Sequence, residues 1–120
     1  MNVFVHNIDG TQVAEMQSEG IVVRSARDAA DITGELLISG ITKLILHERN
    51  MSPEFWNLSG GLAELVLQEF ASKAIAVAFV GKVSQDKGKD FAAMVEESGL
   101  SNKAFFLGTV QLAKTQLSRK

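Results

Sequence analysis

Residues 74–81 read Ala74-Ile75-Ala76-Val77-Ala78-Phe79-Val80-Gly81. Seven apolar side chains stand in a row before a glycine closes the run. Its length suits a strand and falls far short of a bilayer span. A segment with no polar face must be covered on both sides, which is the signature of an inner strand of a parallel sheet. Parallel strands need crossover connections, so the flanking sequence should alternate strands with helices.

It does so in both directions. Upstream, Leu58, Leu62, Leu65, Val66 and Phe70 form an apolar stripe at helical spacing. Before them, Ser52-Pro53 opens a helical turn, with proline where its missing N–H costs nothing. Ile41 to Leu46 is the preceding strand. The helix before that starts at Ser25, an N-cap, with Asp28 in its first turn. It carries Ala26, Ala29, Ala30, Thr33, Leu36 and Leu37, and closes at Gly40 as C′ residue. Earlier still, Val3-Phe4-Val5, Asp9-Gly10 and Thr11 to Gln17 read as an antiparallel hairpin. Ile21-Val22-Val23 either extends the sheet or leads into the helix. Downstream, Lys82 to Asp90 is expected as a charged loop. A short helix with Phe91, Met94 and Val95 on one side ends at Gly99-Leu100. Ala104 to Leu107 is the last strand, and Thr109 caps a final helix with Val110, Ala113 and Leu117. The expected fold class is α/β: a single domain, residues 1–120, with a mixed, mostly parallel sheet, an N-terminal β-hairpin and about four helices.

Composition narrows the function classes. The 120 residues hold 14 acidic and 12 basic side chains, a formal net charge of −2. No basic excess points to nucleic acid or to a membrane surface. Cysteine is absent, which excludes disulfides, thiolate metal centres and cysteine nucleophiles. The start of the chain has none of the features of a secretory signal, so a cytoplasmic location is expected. The triplet Asn57-Leu58-Ser59 matches a glycosylation acceptor, a match without meaning in a chain that is not secreted. No cofactor and no metal site are expected. Gly81-Lys82 to Gly88-Lys89 is spaced too widely for a phosphate loop, and Asp90 stands where a Ser or Thr should hold magnesium. No Gly-x-Ser-x-Gly elbow or nucleophile–base set is visible.

In open α/β sheets, functional loops gather at the carboxyl ends of parallel strands. Those ends are His47 to Ser52, Gly81 to Ser84 and Gly108-Thr109, and the Ser59-Gly60-Gly61 helix start should join them. The candidate binding residues are therefore His47, Glu48, Asn50, Trp56, Asn57, Ser59, Gly60, Gly61 and Lys82. His47 could serve as a base or ligand, or simply be a hydrogen-bonded loop histidine. Glu48 and Arg49 read as a solvated pair. Trp56 reads equally as a partner anchor or as a lid over the sheet edge. Ser59 reads as an anion-contacting or phosphorylatable serine, or as an ordinary N-cap.

The stretch from Leu44 to Gly81 resembles a bacterial family known as a domain of unknown function, number 4180. The elements that carry the resemblance are Leu44-Ile45-Leu46-His47, Ser52-Pro53-Glu54-Phe55, Gly61-Leu62-Ala63, Leu67-Gln68-Glu69-Phe70 and Val77-Ala78-Phe79-Val80-Gly81. The same stretch is more distantly similar to STAS domains, the fold of anti-sigma factor antagonists. Those carry an Asp-Ser-Ser/Thr-Gly-Leu segment whose first serine is phosphorylated to switch partner binding. The matching positions are Leu58-Ser59-Gly60-Gly61-Leu62, so the resemblance makes Ser59 the candidate phosphorylation site. Leu58 replaces the family's aspartate and Gly60 its second hydroxyl residue.

Three functions compete on this reading. The first is a non-catalytic, STAS-like regulatory module that binds a protein partner through Asn57 to Leu62. The second is a small-ligand sensor for an anion, nucleotide or lipid at the strand ends. The third is a small enzyme using His47. A homodimer is compatible with the sheet edge that the hairpin presents.

Overall fold

Asp9 and Gly10 have φ of 50° and 87°, the pair of left-handed residues that a type I′ turn demands. They join β1 (Val3–Ile8) to β2 (Thr11–Met16), and the turn fixes the register as Ile8 opposite Thr11, His6 opposite Val13 and Phe4 opposite Glu15. The computed structural model describes residues 2–119. After the hairpin come α1 (Ala26–Ile38), β3 (Lys43–His47), α2 (Leu62–Ser72), β4 (Ala76–Val80), α3 (Lys82–Glu97), β5 (Ala104–Leu107) and α4 (Val110–Leu117). Three short 3-10 turns, Glu48–Asn50, Pro53–Trp56 and Leu58–Gly60, fill the link between β3 and α2.

The helix ends follow local chemistry. The Ser25 hydroxyl accepts the Asp28 N–H at 3.3 Å, and the Thr109 hydroxyl accepts that of Leu112 at 3.2 Å. Gly40 and Gly99 take φ of 72° and 74°. Behind them the Ile41 N–H donates to the Leu36 carbonyl and the Leu100 N–H to that of Val95, the long bond of a Schellman ending.

The five strands stand in the order β1-β2-β3-β4-β5. The first pair is antiparallel and the others are parallel. All five residues of β4 are buried, as its unbroken apolar sequence requires. Each parallel crossover steps one strand in the same direction. Right-handed crossovers of that kind must stack their helices on one face of the sheet. That face packs Ala14, Met16, Leu44, Leu46, Val77 and Phe79 against α1, α2 and α3. Among the described residues the opposite face is covered by α4, through Ala113 and Leu117 over Ile45, Ala76, Ala78 and Val80. On the hairpin side, Val13 of β2 joins the same cluster and Ile8 of β1 packs against it. No described helix is long and apolar enough to cross a membrane.

Several details differ from the sequence reading. Lys82 to Asp90 is not a loop: it is the first half of the 16-residue α3. Only Ser84, Phe91 and Val95 of that helix are buried, so its polar surface hides the helical pattern. Leu65 and Leu37 lie on exposed helix faces, whereas Ala63, Leu67 and Ile32 are buried. Ile21 to Val23 forms no strand and contributes one isolated bridge, Val23 to Met51.

Candidate functional site

The carboxyl ends of the parallel strands do converge. Glu48 follows β3 and reaches the start of α3, where its carboxylate accepts the Lys82 N–H at 3.2 Å and the Val83 N–H at 2.9 Å. Gly81 makes this possible. Its φ is 140°, and a Cβ there would sit 2.7 Å from the Glu48 carboxyl group. The Gly81 N–H donates in turn to the Leu107 carbonyl at 3.2 Å. An internal carboxylate thus holds the amides and positive dipole end of α3, the place where a helix start would take an external anion. Strand order never reverses along this sheet, so no crevice opens between diverging crossovers. The expected solvated pair of Glu48 and Arg49 is not formed. Arg49 turns to Glu19 at 3.4 Å and to the Ser18 carbonyl at 3.2 Å.

Asn50 is fully buried and fully employed. Its Oδ1 accepts the His47 N–H at 2.9 Å. Its Nδ2 donates to the carbonyls of Ser18 and Gly20 at 2.9 and 3.0 Å. It ties the loop after β2 to the end of β3.

His47 ends β3 with its ring on the α4 face, in register with Ile45 and Glu15. There the structure assembles a cluster that spans three strands. Glu15 sits between two histidines: one carboxylate oxygen lies 2.7 Å from His6 Nε2 and the other 2.8 Å from His47 Nε2. A carboxylate can only accept, so each imidazole donates through Nε2–H. All three side chains are mostly buried, at 18, 13 and 14% exposure for His6, Glu15 and His47. Burial by itself raises the Glu15 pKa. The hydrogen bonds from His6 and His47, together with their charge, outweigh it and hold the carboxyl below its ordinary 4.5. Among the described residues no group of three or more His, Asp or Glu is arranged to hold a metal ion.

The sign of the Glu15 shift makes a prediction. A depressed carboxylate pKa stabilises the fold above the unfolded value, and that contribution is lost as pH falls through the folded one. Wild type should therefore lose stability below about pH 4.5 more steeply than Glu15→Gln, with the two curves converging in acid. Thermal melts from about pH 7 to about pH 3 would show it. Parallel curves would mean that Glu15 titrates alike in both states.

Trp56, Asn57 and Ser59 lie elsewhere. With Pro53, Leu58 and the Lys87, Asp90 and Phe91 side of α3, they line an open groove of about 490 Å3. Trp56 is half-buried and meets Phe91 edge-on at 5.5 Å and Phe55 at 5.0 Å. It is both a lid over the Phe55, Phe79, Phe91 and Phe106 cluster and a wall of the groove. Ser59 does not cap a helix. It lies in a 3-10 turn and its exposed hydroxyl donates to Asn57 Oδ1 at 2.7 Å. The residue before α2 is Gly61, at φ 80° and with no side chain to cap, and Gly60 precedes it at the end of the turn.

The candidate residues thus form three groups. His47 faces the α4 side with Glu15 and His6. Glu48, Asn50 and Lys82 brace the rim. Trp56, Asn57 and Ser59 open onto the layer of α1, α2 and α3. Glu15 and His6 were not among the candidates. The Asp9-Gly10 turn does place them diagonally on one face of the hairpin.

These features define a one-domain α/β protein with strands in sequential order, a carboxylate-sealed rim and a separate surface groove. The chain belongs to the family described as Domain of unknown function (DUF4180), which it matches over residues 8–117. No curated protein and no solved structure matches it.

Proposed function

We propose that the chain is a non-catalytic regulatory module that binds a protein segment in the groove between Trp56–Ser59 and α3. In keeping with the STAS resemblance, Ser59 is its modifiable residue, and its setting is the cytoplasm of a bacterium. The observation that carries the reading is the groove itself. It joins an aromatic wall, a backbone-like amide at Asn57, an exposed hydroxyl and two opposite charges, Lys87 and Asp90, in one open trough. An aromatic anchor ringed by polar groups suits a peptide segment. The groups that acid–base chemistry would need are engaged elsewhere: His47 and His6 with Glu15, Glu48 with α3. A phosphate on Ser59 would add up to two negative charges beside Asn57 and on the same trough as Lys87, changing what the groove accepts.

The test compares partners recovered from the native host by wild type, Ser59→Asp, Lys87→Glu and a remote control, Leu112→Arg on the exposed face of α4. Trp56 is left intact because it also packs on the aromatic cluster. Both groove variants should lose the specific partner by about tenfold or more while the control keeps it. Equal recovery by all four proteins would sink the reading.

A further inference from the structure

The two edges of the sheet are finished differently. At β5, Lys103 and Leu107 turn their carbonyls toward β4, accepting from Val77 and Gly81. By alternation Ala104 and Phe106 turn theirs outward. Gly88 of α3 lies against that edge, close enough that a Cβ would meet the Phe106 carbonyl at 3.4 Å. The helix therefore shields it.

Among the described residues no helix packs against β1 in the same way. The Gln17 N–H donates to the Asn2 carbonyl at 2.8 Å, which sets the phase of the hairpin ladder. Asn2, Phe4, His6 and Ile8 bond to β2, and the N–H and C=O groups of Val3, Val5 and Asn7 point away from the sheet. The strand has six residues, no proline, no lysine and no bulge among its regular pairs, so it lacks the usual edge protection. Phe4 and Val5, on opposite faces, are 56 and 39% exposed.

We infer that β1 is the interface of a homodimer, pairing antiparallel with β1 of a second copy about a two-fold axis at Val5. This register follows from the outward groups. Centred on Val5, it sets Val5 opposite Val5 and Val3 opposite Asn7, so every outward N–H and C=O in the strand gains a partner. Centring on Phe4 leaves Asn7 unpaired, and centring on His6 sets two imidazoles face to face. In the Val5 register Phe4 lies opposite the His6 of the second copy. Within one chain the same two rings already meet edge-on at 4.8 Å, so the cross-strand pair repeats a contact these residues favour. No charged side chain opposes its like. The sheet becomes continuous through ten strands, twice the five of one chain.

Sedimentation velocity over a concentration series reads the assembly. Wild type should sediment at twice the 13.0 kDa chain mass. Val5→Lys, which sets like charges opposite each other at the axis, should raise the dimer dissociation constant by about tenfold or more. Its circular dichroism should match wild type, showing that the fold is kept. The chain has no cysteine of its own. Val5→Cys should therefore crosslink to itself with a short bis-maleimide, and Val3→Cys, whose counterpart is Asn7, should do so far less. A wild type that stays monomeric at every concentration overturns the proposal. So does a dimer that survives Val5→Lys or that crosslinks equally well through both cysteines.

Discussion

Replacing Asn50 with alanine should lower the unfolding free energy by about 3–5 kcal/mol. The side chain is completely buried and makes three hydrogen bonds, all to backbone groups. Each is worth about 1 kcal/mol when made. The larger cost comes from the groups left behind, since the Gly20 carbonyl and the His47 N–H would face a methyl group and the Ser18 carbonyl would keep only Arg49. Water could restore them only by opening the loop. The rest of the loop's hold is Arg49 on the Ser18 carbonyl and Glu19, the bridge between Val23 and Met51 with the Ser52 N–H on the Val23 carbonyl, and two bonds from the Val22 and Val23 N–H groups to the Asn50 carbonyl. Asn50→Asp is the sharper variant. It keeps Oδ1 for His47 but turns a second oxygen toward two carbonyls, so it should be at least as damaging as alanine. Urea unfolding of the three proteins measures this. A loss under about 1 kcal/mol for alanine would mean that the loop repairs itself with water.

How much of this was legible in the sequence depends on how local the cause is. Ser25, Thr109, Gly40, Gly99 and the Asp9-Gly10 turn act within a few residues, and each does what its sequence predicts. The unbroken apolar run of β4 states its own burial. Residues 82–90 misled because α3 lies along an edge. A helix so placed needs only Ser84, Phe91 and Val95 inward, and Gly88 is where it approaches the Phe106 carbonyl rather than a sign of a loop. The Glu15 cluster was half legible. The hairpin register follows from the turn, and with it the diagonal placement of His6 and Glu15. The partnership with His47 depends on how β2 aligns with β3, which no turn between them dictates. The Ser59 corner failed as a helix cap because the chain makes one more 3-10 turn first, and the left-handed Gly61 starts α2 in its place.

The second large effect is expected at Gly81. Its φ of 140° with ψ of 178° falls where almost only glycine goes, and an alanine forced to stay there carries about 1–3 kcal/mol of strain. The methyl group also has no room, being placed 2.7 Å from three atoms of the Glu48 side chain. Glu48 must then leave the Lys82 and Val83 N–H groups, and α3 loses its N-terminal acceptor for about another 1 kcal/mol. Gly81→Ala should therefore cost about 2–4 kcal/mol in total, and Glu48→Ala alone about 1 kcal/mol. The mechanism shows in the double variant. With Glu48 already truncated, the alanine at 81 no longer displaces anything, so the combined loss should fall short of the sum by about 1 kcal/mol or more. A double-mutant cycle by chemical unfolding measures the shortfall. Strict additivity would assign the whole cost to backbone strain. A shortfall would show that glycine stands at the end of β4 so that the carboxylate arriving from β3 can seal α3.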